Sequence, residues 1–311
     1  VSLIMQETQH ITHADDEIDL RELFRAIWAG KWLILVVTSI FTAASIYYAL
    51  KLPDIYKSEV TLAPVAEDSA LKNPGQLGGL AAMAGVNLGG LGGGDKTGLA
   101  LEILKSRDFI GRFIEQNDLY VPIMAAVGWN RGEDRLLLDP KIYDEHTKQW
   151  VREIKPPYKP KPSKLETYEE FEKLLMVEED KATNMITLSI KHYSPFLAKK
   201  WADKIVNAIN EEMRVRELTE AEKSIAYLNN QINQTNLADI RTMLFSLIEE
   251  QNKTLMLANV RDEYVFKTVD PAVVAEKKHE PRRLIIVLIV GFISMFISIF
   301  FVLVRYFNSK D

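Results

Sequence analysis

One uncharged stretch near the C-terminal end of the sequence, Leu284 to Val304, limits what this chain can fold into. It is 21 residues long and reads LIIVLIVGFISMFISIFFVLV. At ~1.5 Å rise per residue it makes ~31 Å of helix, enough to cross a hydrocarbon core of ~30 Å. Its polar side chains, Ser294 and Ser298, can each bond back to their own helix. We therefore predict a membrane span rather than a buried core helix, since core helices rarely exceed ~14 uninterrupted apolar residues.

A second stretch of this kind lies near the other end, from Trp32 to Leu50. Its 19 uncharged residues, WLILVVTSIFTAASIYYAL, lie between Lys31 and Lys51, and aromatic residues stand at both boundaries, as is typical of bilayer interfaces. About thirty residues precede it, whereas a signal peptide begins nearer residue 1 and ends in a small-residue cleavage site. We predict a second, retained span.

Two spans divide the chain into five segments and put both ends on the same side. The flanking Lys and Arg residues favour cytoplasmic ends at the first span and oppose them at the second, and the first span usually dominates. Folded domains need ~50 residues or more, so neither end can hold an enzyme domain. The predicted segments are a cytoplasmic N-terminal segment (1–31), the first span (32–50), an extracytoplasmic insert (51–283), the second span (284–304) and a cytoplasmic tail (305–311).

Composition and the placement of polar residues argue against an active site. The net charge of −5 provides no large basic surface for nucleic acid, and the absence of cysteine excludes disulfides and cysteine-metal chemistry. The five histidines are scattered and lack metal-binding spacing. Gly90 to Thr97, GLGGGDKT, falls one residue short of a phosphate-binding loop, and Asp95 places a carboxylate where phosphates would bind. We expect no catalytic residue, no metal and no cofactor.

The first part of the chain predicts a few regular elements between irregular stretches. Apolar residues at helical spacing predict an amphipathic helix from Asp16, which either continues the first span, lies on the membrane surface or packs against a partner. Further on we predict a strand over Tyr56–Val65, an irregular glycine-rich loop over Gly75–Gly98 and a helix over Leu99–Asn117.

The middle of the insert is predicted to be irregular and then to form a hairpin. Tyr120 to Lys164 shows a helical pattern only around Tyr143–Ile154, and ends in KPPYKPKP, which is typical of a polyproline II segment or a rigid surface connection. A helical turn at Thr167–Lys173 leads into a hairpin that ends in MITLSIKHY, where apolar and polar residues alternate. A last strand is predicted over Glu263–Asp270.

Two long helices are predicted between these strands. Ser194 and Pro195 suit the cap and first turn of a helix, and Thr219–Glu222 is a capping box that either restarts this helix or lies within it. An apolar stripe changes phase in NQINQTN, which predicts a bend or turn near Asn233–Asn236. We expect an extended stalk whose stripe is partly covered by a neighbouring subunit. The candidate oligomer surface is Ile225, Leu228, Ile232, Leu237, Ile240, Leu244 and Leu247.

Both spans carry small residues four positions apart, which allow close helix approach. The candidate packing residues are Ser39, Ala43, Ser294 and Ser298. We expect a homo-oligomer whose association energy comes mainly from the insert, because buried apolar surface stabilises at ~25 cal/mol per Å².

Three stretches of the sequence match the pattern of a known family. EIDLRELFRAIWAGKWLI leads into the first span, and LGGLAAMAGVNLGG is followed by ALEILKSRDFIGRFI. The third and closest match is LIEEQNKTLMLANVRDEYVFKTVDPAVV, Leu247 to Val274. Together they resemble the Wzz-type polysaccharide co-polymerases, the chain-length determinant proteins of lipopolysaccharide O-antigen. The family often has a proline-rich run before the second span, and here only Pro271 and Pro281 remain, which implies a less rigid linker.

The resemblance implies an α+β fold, with two transmembrane helices flanking a periplasmic domain that has a mixed α/β base at the membrane and a long helical stalk. It implies a ring-shaped homo-oligomer in the Gram-negative inner membrane, in contact with membrane lipid, the O-antigen polymerase and the lipid-linked growing polysaccharide. The expected function is regulation of O-antigen modal chain length, as a scaffold without catalysis of its own.

Other functions stay open at this stage. Within the family, enterobacterial common antigen or another surface polysaccharide is an alternative glycan. A two-span envelope sensor needs a cytoplasmic output domain, which residues 305–311 are too few to form. An envelope enzyme needs a catalytic constellation, and the sequence specifies none.

Overall fold

The computed structural model describes residues 20–65 and 96–308, with side chains from Phe24 onward. The chain divides into two compact units: the helix unit, up to Leu52 and from Pro281 onward, and the insert unit, Pro53–Glu280. The predicted glycine-rich loop lies outside the described residues except for its last three positions, which begin a helix. In chain order the elements are α1 (Leu20–Ala29), α2 (Lys31–Lys51), β1 (Tyr56–Pro64), α3 (Lys96–Lys105), α4 (Arg107–Gln116), α5 (Tyr120–Met124), β2 (Ala126–Asn130), β3 (Arg135–Leu138), β4 (Tyr143–Asp144), β5 (Gln149–Trp150), α6 (Lys164–Leu174), β6 (Leu175–Asp180), β7 (Met185–His192), α7 (Pro195–Gln234), α8 (Ala238–Val260), β8 (Phe266–Asp270) and α9 (Arg283–Asn308).

The helix unit consists, in its described part, of α1, α2 and α9. Helices α2 and α9 contain the two predicted spans, and both are long and apolar enough to cross a membrane. They pack against each other, and the Arg283 guanidinium donates to the carbonyl oxygens of Ala49 (2.9 Å) and Leu52 (3.1 Å). The last carbonyls of a helix have no hydrogen-bond donor within the helix, and Arg283 provides donors for them at the C-terminal end of α2. Helix α1 confirms the amphipathic helix predicted before the first span.

A four-stranded antiparallel sheet, with strand order β6-β7-β1-β8, lies at the centre of the insert unit. Apolar residues alternate along β1 and β7, so that Leu62 and Leu188 are fully buried. Helix α7 covers this face with Trp201 and Ile205, and Phe171 of α6 belongs to the same core. The strands and the hairpin that alternation predicted are confirmed.

The single helix predicted over Leu99–Asn117 is wrong, because the structure has two helices there, α3 and α4. Ser106 separates them in an extended conformation, and its Oγ accepts a hydrogen bond from the Phe109 amide (3.2 Å). The first amides of a helix have no acceptor within the helix, and a capping serine provides one. Ser106 therefore favours the start of a new helix at this position. The apolar spacing continues across the break, so periodicity alone predicted one helix.

The irregular stretch predicted over Tyr120–Lys164 in fact contains α5 and an antiparallel hairpin of β2 and β3. The helix predicted within it, around Tyr143–Ile154, is also wrong. Tyr143 pairs with Trp150 in the short ladder of β4 and β5, and their rings lie edge to face with centroids 5.2 Å apart. The turn between them is fixed by Asp144, whose Oδ1 accepts from the His146 amide (2.9 Å). Aspartate in such a turn offers the backbone an alternative to helical hydrogen bonds.

The proline-rich run that ends at Pro162 is held on the surface by one arginine. Arg152 donates to the carbonyl oxygens of Pro160 (2.6 Å) and Lys159 (2.9 Å), and to the Glu166 carboxylate (2.8 Å). Glu166 also completes a capping box with Ser163 at the start of α6. These bonds attach the run to a helix of the core, as the interpretation of a surface connection predicted.

Helices α7 and α8 are the long helices that the sequence predicted. Helix α7 has 40 residues, or ~60 Å of helix, and it begins at the predicted cap, Ser194. The Thr219 hydroxyl donates to the Val215 carbonyl within the helix (2.8 Å), so the capping box lies inside α7 and does not restart it. The chain turns between Gln234 and Ala238, which confirms the predicted turn.

The segment between β8 and the second span has no regular structure but is bonded to the sheet. The Ser58 hydroxyl donates to the Val273 carbonyl (2.7 Å), and Lys191 pairs with Glu280 (2.6 Å). Ile55 and Glu280 form an isolated antiparallel bridge. The ends of the insert unit therefore lie side by side.

Buried Asn210 on α7 connects this helix to the last strand. Its Oδ1 accepts from the amides of Val265 and Phe266 (both 2.9 Å), and its Nδ2 donates to the Phe266 carbonyl (3.0 Å). Strand β8 lies at an edge of the sheet, so the amide side chain satisfies backbone groups that no strand reaches.

We expect Asn210→Ala to lower the free energy of unfolding by about 3 kcal/mol, because two amides and a carbonyl lose a buried partner. Thermal denaturation of the full chain in detergent measures the change. Asn207→Ala is the matched control, since Asn207 is exposed one turn earlier on α7 and gains the same helix propensity. Equal losses in the two variants would contradict this role of Asn210.

Candidate functional site

The candidate oligomer surface lies on the distal part of α7 and on α8, residues 215–260, here called the stalk hairpin. Leu228 and Ile232 of α7 and Leu244 and Leu247 of α8 are buried in one cluster. Ile240 packs against this cluster from the same chain. This cluster is separate from the main core of the insert unit, which lies between the sheet and α7. The two helices thus cover most of the predicted stripe between themselves.

Two of the predicted residues lie differently. Leu237 lies in the turn between α7 and α8 and is 63% exposed, and Ile225 is half-buried outside the cluster. Whether a neighbouring subunit contacts any of the seven residues stays a prediction. Within one chain, the stripe is the core of the stalk hairpin rather than a free surface.

Other apolar side chains of the stalk hairpin, which the periodicity missed, are exposed. Tyr227 (55% exposed) comes directly before buried Leu228, and Phe245 (54%) comes directly after buried Leu244. Met256 and Val260 are exposed near the end of α8. The sequence does contain a sign of them: large apolar residues stand next to the stripe, at positions where a solvent-exposed helix face normally carries polar residues.

Ion pairs attach the middle of α7 to α3 and α4. Arg112 of α4 bonds the Glu212 carboxylate (2.9 Å) and also pairs with Asp108 (3.1 Å). The hydrogen bond from Arg112 holds the pKa of the Glu212 carboxyl below its usual range. Lys96, the lysine of the phosphate-loop-like sequence, donates to Glu217 (3.0 Å). These side chains fix α7 against its neighbours.

The small residues of the spans divide between two environments. Ser294 and Ser298 are buried and donate to the carbonyls of Gly291 (2.9 Å) and Ser294 (2.7 Å), which confirms that their hydroxyls return to their own helix. Ser39 and Ala43 are exposed in the single chain, so their role in packing between chains stays a prediction. The buried small residues of α2 are Ser45 and Ala49.

His192 is the most perturbed titratable group among the described residues outside the spans. Burial lowers its pKa from 6.5 to about 4. Its Nε2 donates to the Pro122 carbonyl (3.1 Å) and its Nδ1 accepts from the Ser194 amide (3.1 Å). The ring lines a cleft of about 340 Å³ with residues such as Ile55 and Met124. With both nitrogens bonded to the backbone, this histidine connects β7 to α5 and α7 rather than serving as a base.

The described part of the chain also contains no group of three or more His, Cys, Asp or Glu residues that could hold a metal.

The neutral state of His192 predicts a pH-dependent stability. Below pH 6.5 the unfolded chain binds a proton at this residue, whereas the folded chain resists protonation down to about pH 4. The free energy of unfolding should therefore fall, by roughly 3 kcal/mol from this group, as the pH decreases through that window. Thermal denaturation from neutral to acidic pH measures it.

The matched comparison is His192→Gln against His146→Gln, because His146 is exposed. His192→Gln should flatten the decrease between pH 6.5 and about 4, and His146→Gln should leave it unchanged. An equally steep decrease in both variants would show that other groups cause the pH dependence.

Comparison with known proteins finds a family similarity in the N-terminal part of the chain. Residues 16–117 match the family model Wzz, described as chain length determinant protein. No curated protein sequence matches the chain. One solved structure, a full-length bacterial polysaccharide co-polymerase, aligns with 94% of this chain and 99% of its own at 12% identity and a TM-score of 0.38. Residues 247–274, the third stretch of the predicted resemblance, lie beyond the matched segment. Over residues 16–117 the chain is similar to the Wzz chain length determinant family, which confirms the resemblance of the first two stretches.

Proposed function

We propose that this chain regulates the modal chain length of O-antigen polysaccharide in lipopolysaccharide biosynthesis. The observation that carries the proposal is the match of residues 16–117 to the chain length determinant family. Two candidate membrane helices that bracket a mixed helix and sheet unit with a long helical hairpin support it. Proteins of this family are regulators rather than catalysts, so we assign no reaction to the chain.

The proposed location is the Gram-negative inner membrane, with two spans. In this arrangement residues 51–283 are periplasmic, and residues 1–31 and 305–311 are cytoplasmic. Uncharged helical segments long enough for the bilayer support the spans. The Lys and Arg residues before the first span support the orientation.

The proposed mechanism is that of an oligomeric scaffold. Copies of the chain associate through their insert units in a ring and contact both the O-antigen polymerase and the lipid-linked growing polysaccharide. Tyr227 and Phe245 support such contacts, because exposed aromatic residues on a rigid helix pair are favourable anchors for a protein partner. Chain length then depends on surfaces distributed over the stalk hairpin rather than on a single catalytic group.

The test is the lipopolysaccharide ladder of a strain from which the gene is deleted. We expect the clustered distribution to become one that falls off steadily with length, and the cluster to return on complementation with the full chain. An unchanged ladder in a strain that makes O-antigen would contradict the proposal. If only the length of enterobacterial common antigen or another surface glycan changes, the regulatory function holds and the glycan is the alternative one.

A further inference from the structure

Three aromatic residues stand four positions apart across the junction of α1 and α2. Phe24, Trp28 and Trp32, here called the aromatic ladder, are 67%, 61% and 71% exposed. The rings of Phe24 and Trp28 stack with centroids 6.0 Å apart. The Lys31 ammonium lies 4.3 Å from the centroid of the Trp28 ring. These contacts hold the Phe24 and Trp28 rings along the helix surface, and the four-residue spacing places Trp32 in the same row.

The opposite side of α1 packs within the helix unit. Ala26 is fully buried, and it lies two positions from Phe24 and Trp28, or about 200° around the helix. At the end of α1, Gly30 lies against Val302 of α9 so closely that a Cβ atom there would come within 2.3 Å of a Val302 methyl group. Packing against α9 therefore fixes the rotation of α1, and the aromatic ladder faces away from its own chain.

The aromatic ladder continues into the apolar surface of the first candidate span. Val36 and Ile40 extend the same four-residue spacing and are 51% and 62% exposed. A row of exposed large side chains marks an interaction surface, and the surface with which this one is continuous is the face of α2 that meets lipid in the proposed membrane placement. Tryptophan has a flat apolar ring and a polar N–H, which suit the boundary between acyl chains and headgroups.

We propose that α1 is an interfacial anchor whose aromatic ladder inserts into the lipid at the bilayer surface. This inference rests on the proposed function only in that α2 crosses the membrane. Arg25 and Lys31, next to the aromatic ladder, are placed to reach lipid phosphate groups. Because Gly30 holds the end of α1 against Val302 of α9, the anchor sets the depth of both spans together.

The absence of cysteine from the chain makes a direct test possible. Single cysteines are introduced as Phe24→Cys, Trp28→Cys, Arg25→Cys and Ile40→Cys, spin-labelled, and studied in the full chain in phosphatidylethanolamine and phosphatidylglycerol vesicles. Collisions with oxygen report lipid, and collisions with a water-soluble nickel complex report water. We expect oxygen to dominate at positions 24 and 28 as at position 40, and the nickel complex to dominate at position 25.

The other outcomes are separable. Water exposure at positions 24 and 28, with lipid exposure at position 40, would overturn the interfacial anchor and leave the span intact. Protection of positions 24 and 28 from both reagents would show that a second copy of the chain covers the aromatic ladder, which also overturns it. Water exposure at position 40 would instead contradict the membrane placement in the proposed function.

Discussion

Leu228→Asp and Leu244→Asp are each expected to disrupt the stalk hairpin and to shift or broaden the modal length of the glycan. Both leucines are buried in the small core that α7 and α8 form. A carboxylate there would be buried among apolar side chains, and the cost should be roughly 4 kcal/mol. The main core that contains Trp201 is separate, so the rest of the insert unit should stay folded. Hydrogen exchange over residues 215–260 measures the local loss, and a lipopolysaccharide gel measures the phenotype.

The matched control for these variants is Asn229→Asp. Asn229 is exposed directly after Leu228, so the same charge is added on the outside of the helix. It should alter neither hydrogen exchange nor the ladder. If the amides of residues 215–260 exchange as slowly in Leu228→Asp as in the wild-type chain, the buried cluster is not what holds α7 and α8 together.

Tyr227→Asp combined with Phe245→Asp is expected to weaken association between subunits without unfolding the chain. Both rings are more than half exposed, so their replacement should change the free energy of unfolding by less than about 0.5 kcal/mol. An aromatic anchor in a protein interface contributes about 2 kcal/mol, which corresponds to roughly 30-fold weaker association for each. Light scattering of the full chain in detergent measures the mass of the oligomer.

The control for this pair is Ser246→Asp, an exposed change directly after Phe245. It adds a charge at the same level of α8 without removing a ring, and should leave the oligomer intact. If the double variant keeps the mass of the oligomer and the lipopolysaccharide ladder of the wild type, Tyr227 and Phe245 are not the subunit contacts. The predicted stripe residues that are partly exposed, Ile225 and Leu237, are then the next to change.

The elements that the sequence predicted well are those whose pattern is local and periodic. Alternation in MITLSIKHY predicts β7, and the phase change in NQINQTN predicts the turn before Ala238, because neither depends on distant contacts. Two of the errors arose where a side chain competes with the backbone. Ser106 starts a new helix, and Asp144 fixes a turn, at positions where apolar spacing alone is compatible with one continuous helix.

The candidate surface was harder to predict than the fold. Periodicity identified Leu228 and Leu244 as apolar positions, but it does not say whether a stripe is covered by the same chain or by another subunit. The structure shows that α7 and α8 together cover most of it. Tyr227 and Phe245 lie outside the periodic pattern, and exposed apolar side chains of this kind are candidates for contact with a partner.

Reconstitution of polymerisation from purified components tests whether this chain sets the length of the glycan. Lipid-linked repeat units are incubated in vesicles with the polymerase alone, with this chain alone, and with both, and the product lengths are resolved on a gel. We expect the chain alone to leave the substrate unchanged, the polymerase alone to give lengths that decline steadily, and the two together to give a clustered length. Turnover by the chain alone, or an identical length distribution with and without it, would contradict the proposed function.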